Sequence, residues 1–174
     1  MYLSVVEVIQ LNTEKLLQLA NSAYQNGDSD KALGYCKELL VQAPTDAKGL
    51  RLKAIILGTE GRLAEAIEII SQVLLASSMQ EEPCDYFYRG RWLIRNGQSD
   101  QAIVDFAALI AIEKAHDRIY YTDVALLYRA YALKQLGRER EAIADLKAIE
   151  DEDCSSWIGD GMVSKRSLLA SLGA

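Results

Sequence analysis

The sequence predicts an all-α fold, a right-handed superhelical α-solenoid of about four helix-turn-helix repeats with a C-terminal capping helix. Three observations carry this expectation. A glycine-centred motif recurs four times, at Gly27, Gly61, Gly97 and Gly137. The apolar residues flanking each copy are spaced i, i+4, i+7, which is the stripe of a single helix face. Only two prolines, Pro44 and Pro83, interrupt 174 residues, which suits long helices joined by short turns.

Residues 1–12 form an N-terminal segment with two readings. Val5, Val6, Val8 and Ile9 favour a strand, whereas proximity to the first helix favours its continuation. The first copy, 13–46, carries the stripe Leu16, Ala20, Ala23 before its glycine and Ala32, Cys36, Leu39 after it. The second, 47–80, carries Leu50, Ala54, Leu57, then Ala66, Ile70, Val73. The third, 83–116, carries Tyr86, Gly90, Leu93, then Ala102, Phe106, Leu109. The fourth, 123–156, carries Leu126, Ala130, Leu133, then Ala142, Leu146, Ile149.

Within the motif, Asn26-Gly27-Asp28-Ser29-Asp30-Lys31-Ala32 returns as Asn96-Gly97-Gln98-Ser99-Asp100-Gln101-Ala102. Glycine accepts the positive φ that ends a helix. Asp28 or Ser29, and likewise Ser99, can cap the helix that follows. The middle stripe residue of each first helix is Ala20, Ala54, Gly90 or Ala130, small enough for two helix backbones to approach. A single helix pair cannot bury both stripes, so stacked pairs make the core.

Two spacers lengthen the 34-residue step: Glu81-Glu82 before the third copy, and Asp117 to Thr122 before the fourth, read as an extended helix end or a loop. The tail, 157–174, holds Gly159-Asp160-Gly161. An amphipathic stretch with Met162, Val163, Leu168, Leu169 and Leu172 follows, the expected polar-backed cap.

On these residues the chain resembles the tetratricopeptide repeat family. The small residue, the glycine seven later, the alanine five further and the large apolar residue four beyond that all match, over about residues 13–156. Pro44 closes the first copy as the family's proline does, while Ser78, Lys114 and Cys154 stand at the corresponding later places. The family's leucine before the small residue survives as Leu19, with Lys53, Arg89 and Arg129 in the other copies. The resemblance implies that the first helix of each pair lines a concave groove where peptides bind. Some members hold a peptide's terminal carboxylate with Lys, Asn and Arg residues. Asn21 matches one such position, but Leu17, Leu52, Cys84 and Tyr88 occupy the others, so that clamp is not expected.

The inventory argues against an enzyme. His116 is the sole histidine, near a predicted helix end where it suits the dipole. The three cysteines, Cys36, Cys84 and Cys154, lie far apart and form neither a zinc pattern nor a disulfide framework. Asp28-Ser29-Asp30 starts like a calcium loop but continues Lys31-Ala32-Leu33. Gly159 to Lys165 lacks the ending of a phosphate loop and has no expected strand before it. No cofactor or metal is expected. No apolar run approaches the ~20 residues that span a bilayer, and residues 1–11 lack a basic start. A cytoplasmic protein is expected. The acidic run Glu150 to Asp153 reads as a solvated loop that stops a helix near Ile149.

Helical spacing puts a second face beside each inner stripe. In the first copy it shows Leu17, Asn21 and Tyr24; in the second, Lys48, Arg51 and Ile55. In the third it shows Phe87, Arg91, Ile94 and Arg95; in the fourth, Leu127, Tyr131 and Lys134. Aromatic, arginine and aliphatic residues together form the composition of an interface core.

The chain holds 19 Lys and Arg against 25 Asp and Glu, a net charge of −6 that argues against nucleic acid. The four first-helix segments, 13–26, 47–60, 83–96 and 123–136, hold nine cations and four anions, a sum of +5, leaving −11 elsewhere. The expected partner is therefore an acidic and apolar peptide or protein in a basic, aromatic groove. The alternative is a bacterial toxin-immunity protein or secretion-type chaperone that meets a basic partner through Asp145 and Glu150 to Asp153. A second copy of the chain, paired through Tyr120, Tyr121, Trp157 or the N-terminus, is the third candidate.

Overall fold

A computed structural model describes residues 5–76, 82–117 and 120–174. Among the described residues the chain is an all-α helical-repeat fold of the solenoid class, with one β-hairpin near its end. The helices are α1 (Val5–Gln25), α2 (Ser29–Gln42), α3 (Ala47–Thr59), α4 (Leu63–Ala76), α5 (Pro83–Arg95), α6 (Ser99–Ala115), α7 (Thr122–Gln135) and α8 (Glu139–Ala148). Strands β1 (Ser155–Ile158) and β2 (Gly161–Ser164) follow, then α9 (Lys165–Ser171). Of the two readings for the N-terminal segment, the helical one holds from Val5 onward. Ser78 and Glu81 fall outside the described residues.

Four turns of one design punctuate the chain. Gly27, Gly61, Gly97 and Gly137 have φ between 72° and 82°. The residue after each glycine sends its N–H back across the turn: Asp28 to Ala23, Arg62 to Leu57, Gln98 to Leu93 and Arg138 to Leu133. This bond satisfies a carbonyl that the helix end would leave bare, and it requires the left-handed glycine beside it. Asp28 then caps α2 by accepting from the Lys31 N–H. Ser99 does not cap α6, contrary to its motif position. It is buried, and its hydroxyl donates to Gln135 Oε1 at 2.7 Å.

The chain divides into two compact units, residues 1–76 and 77–174. In the first, α1 packs on α2, α2 on α3 and α3 on α4, and the first helices α1 and α3 also touch. Its core joins Ala20, Ala23, Ala32, Cys36, Leu52 and Ile56. In the second unit α5 packs on α6, α6 on α7 and α7 on α8, and α5 again touches α7. The second-helix stripes are buried in all four copies, whereas Leu50 and Tyr86 of the first-helix stripes are half-buried. Burying each Leu, Ile or Phe stabilises the fold by about 1.5–3 kcal/mol before conformational entropy is set against it.

Copies three and four share a tie that the first two lack. Arg89 grips Asp105 with Nε–Oδ2 at 2.8 Å and Nη2–Oδ1 at 2.6 Å. Arg129 grips Asp145 in the same way, at 2.7 and 2.6 Å. Each pair joins the first helix of a copy to its second. The corresponding residues are Leu19 and Tyr35 in the first copy, and Lys53 and Ile69 in the second.

Gly90 shows why its position must stay small. A Cβ there would lie 2.7 Å from the tip of the Phe106 ring. That ring is fully buried and stacks on Tyr128 at 5.5 Å, so it has little room to retreat. Gly90→Leu should overpack this contact and cost about 2–3 kcal/mol. A chain of this size would lose about 4–12 °C of Tm. Thermal melting followed by circular dichroism checks it, and an unchanged midpoint would contradict the close approach.

The spacer before the fourth copy is organised by Glu113. Its buried carboxylate accepts from the Tyr121 N–H at 2.9 and 3.0 Å and from the Thr122 hydroxyl at 2.7 Å, fixing the start of α7. Asp117 carries a positive φ of 53° just after α6 ends. Residues 118 and 119 of this expected loop lie outside the described residues.

The tail corrects the expected amphipathic helix. Met162 and Val163 belong to β2, not to a helix, and only Lys165–Ser171 is helical. Gly159 and Asp160 form a two-residue hairpin turn, with Ile158 facing Gly161 across it. Gly159 takes φ 61° there, as such turns demand. Ser164 and Ser167 make a reciprocal cap at the start of α9. The Lys165 ammonium, buried, donates to the Ile149 carbonyl at the end of α8 and pairs with Glu152 at 2.6 Å. Helix α8 stops at Ala148, and Asp123 accepts from the N–H groups of Glu150 and Asp151 beyond it.

Candidate binding site

The expected groove residues separate by unit. In the first unit, α1 carries Leu17, Asn21 and Tyr24, and α3 carries Lys48, Arg51 and Ile55. Asn21 and Lys48 are exposed, and the other four are half-buried. The Tyr24 hydroxyl meets the Thr59 hydroxyl at 3.0 Å, pinning the ends of α1 and α3 together. Asn21 turns its amide onto the Leu17 carbonyl of its own helix.

The second unit changes the expectation. Leu127 is 0% exposed and Phe87 is also buried, so these two are core residues, whereas Ile94, though largely buried, still lines a cleft beside the hairpin. Phe87 packs among Phe106, Tyr121 and Tyr128, and the C-terminal hairpin lies against α7. β1 packs against α7, and the Tyr128 hydroxyl donates to the Trp157 carbonyl at 2.9 Å and meets Ser156 Oγ at 3.1 Å. Tyr131 is drawn to the same segment, its hydroxyl 3.3 Å from where a Gly159 Cβ would sit. Lys134 donates to Ser171 at 2.7 Å. The exposed face of α7 is thus occupied by the chain's own tail.

One open cleft in this unit, of about 240 Å³, lies between α5 and the hairpin. Arg91 and Arg95 enter it from α5, with Trp157, Ile158 and Asp160 from the hairpin and Tyr128 beneath. The Arg91 guanidinium lies 5.5 Å from the Phe87 ring centroid and 5.7 Å from that of Tyr128. Two aromatic faces orient it by cation–π attraction. Those rings are themselves locked, since Phe87 packs edge-on to Tyr128 at 5.7 Å and against Tyr121 at 5.1 Å. Among the described residues, neither Arg91 nor Arg95 makes an ion pair with a carboxylate.

Two of the nine first-helix cations, Arg89 and Arg129, point to the second helices and are neutralised there. Asp145 is the buried partner of Arg129 and is not part of an acidic outer surface. A separate cleft of about 370 Å³ is bounded by Asp123, Glu150, Asp151 and Asp153, with Tyr120 at its edge.

Two of the three cysteines, Cys36 and Cys154, are buried. Burial pushes the Cys36 thiol up to about 11, with Lys53 opposing weakly. Burial raises Cys154 as well, helped by Asp123 and Asp151. A thiol held protonated is a poor nucleophile. Among the described residues no group of His, Cys, Asp and Glu could hold a metal ion. No described helix is long and apolar enough to cross a membrane.

Ile158 and Asp160, which line this cleft beside Arg91 and Arg95, are not among the residues expected from the sequence. The signal was present: Ser155-Ser156-Trp157-Ile158 and Gly161-Met162-Val163-Ser164 flank a Gly-Asp pair, which is a hairpin signature.

These features define a helical-repeat protein with an aromatic and arginine-lined cleft. Its fold is that of tetratricopeptide-repeat proteins. Residues 16–46 match the family model described as Tetratricopeptide repeat. MamA from Desulfovibrio magneticus RS-1 superposes with a TM-score of 0.69 at 18% identity, covering 78% of this chain and 72% of that one. A second MamA structure gives 0.70 at 17% identity, covering 84% and 93%. YrrB, described as a TPR protein with an unusual peptide-binding site, gives 0.69 at 16% identity, covering 83% and 72%. At these identities the likeness concerns the fold. No curated protein matches the sequence.

Proposed function

We propose that this protein is a non-enzymatic interaction module that binds an acidic and apolar peptide segment of a partner protein. The observation that supports it most is Arg91, held over Phe87 and Tyr128 beside Arg95, with no carboxylate among the described residues paired to either. A guanidinium oriented in advance loses little entropy when it meets a carboxylate, and its fork suits bidentate bonding. The peptide-binding site attributed to YrrB supports the same use of the fold. In the first unit Leu17, Asn21, Tyr24, Lys48, Arg51 and Ile55, on α1 and α3, are a second set of proposed contact residues.

Fluorescence anisotropy with synthetic peptides tests it. A peptide of glutamate, leucine and phenylalanine should bind, and its affinity should fall as salt rises. Its lysine counterpart should not. The reverse order would favour the second reading, a toxin-immunity or secretion-chaperone role with a basic partner at Asp123, Glu150, Asp151 and Asp153, whose carboxylates line one cleft.

A further inference from the structure

We infer that the C-terminal hairpin is a working wall of the peptide site, supplying an apolar anchor beside the two arginines, and not solely a cap on the last repeat. The inference rests on the acidic-apolar reading of the partner. It adds where the apolar side chains of that partner sit and which residues select them.

A cap has only to cover the stripe of α8 and the open face of α7, and buried residues do that work. Ile158 and Leu168 are buried, and the Lys165 side chain seals the end of α8. Trp157 and Met162 do nothing of the kind. They face each other across the hairpin, in register, and are 60% and 63% exposed. The Lys165 N–H bonds to the Cys154 carbonyl, and by alternation Trp157 and Met162 form a pair without mutual backbone bonds, the kind whose side chains lie closest. Two large apolar side chains held together in water are unusual on a domain that needs no further burial. Trp157 also lines the Arg91 and Arg95 cleft.

The arrangement holds residue types enriched at interface centres: tryptophan, tyrosine, arginine and methionine. Charge complementarity selects the occupant. Two arginines and one aspartate, Asp160, line the cleft, so it has a positive surplus. A carboxylate from the partner enters between Arg91 and Arg95. A neighbouring leucine or phenylalanine packs on Trp157 and Met162. Asp160, at the hairpin turn, opposes the incoming carboxylate and sets a limit on affinity.

The probe is the glutamate, leucine and phenylalanine peptide, read by anisotropy against the intact chain. Trp157→Ala with Met162→Ala should weaken it about tenfold or more, a loss of about 1.4 kcal/mol. Asp160→Asn should strengthen it two- to threefold. Met162→Glu should weaken it, and by more than Met162→Lys does, which keeps the test valid if the alanine pair disturbs the hairpin. Probe binding that is lost on reversing Arg91 and Arg95 but unchanged in all the hairpin variants overturns this inference and leaves the groove reading standing. A probe that binds no better than its lysine counterpart overturns both.

Discussion

Arg89→Ala should lower the stability of this protein by about 2–4 kcal/mol, a large share of what a domain possesses. The Asp105 side chain is 3% exposed and takes both of its close ion-pair contacts from Arg89. Burial pushes its carboxyl above the usual carboxylate range even with Arg89 opposing that shift. Without the guanidinium, a buried carboxylate would be left to take up a proton. The figure lies below that for a wholly buried pair because Arg89 itself is 22% exposed.

The sign of the pH dependence follows. A carboxyl whose folded pKa is raised contributes stability below its unfolded value, near 4, and loses it as pH rises through the folded one. The deficit of Arg89→Ala should therefore be largest near neutral pH and shrink toward about pH 4. Replacing both partners by leucine should restore most of the loss, because two apolar groups need no compensation. Urea melts at two pH values check all three statements. An equal deficit at both, or a double variant as weak as the single, would contradict this role for the pair.

Reversing Arg91 and Arg95 to glutamate should weaken capture of the acidic-apolar peptide about 30-fold or more, or about 2 kcal/mol. Each reversal removes an attraction and adds a repulsion across the same contact. The salt dependence of binding should flatten in parallel, since fewer charges are paired. Stability should change little at Arg95, which is exposed. Arg91 should cost somewhat more, because its cation–π contacts with Phe87 and Tyr128 are lost. Affinity and salt slope unchanged in the double variant would remove the basis of the proposed function.

The repeats were legible because their determinants are local. A left-handed glycine, the small residue seven before it and the i, i+4, i+7 stripes lie within one helix pair. Leu127 was not legible as core, since nothing in the spacing of α7 shows that β1, about 30 residues later in the chain, packs against that helix. Helical spacing reports which residues share a face. It does not report what comes back to cover that face. The hairpin was obscured because Met162, Val163, Leu168 and Leu169 also fit an amphipathic helix, and two β-residues fit either period. The Arg89–Asp105 and Arg129–Asp145 ties carry a signal that single-motif reading passes over. Arginine and aspartate appear together, sixteen residues apart, in the two copies that have the tie, and in neither of the others.

The most direct measurement is a charge swap between peptide and protein. Anisotropy titrations would pair the glutamate peptide and its lysine counterpart with the native chain and with the chain in which Arg91 and Arg95 are glutamate. The account predicts that the native chain prefers the glutamate peptide and that the reversed chain prefers the lysine one. The same order of preference in both chains would show that the peptide's carboxylates do not meet these two arginines, and would contradict it.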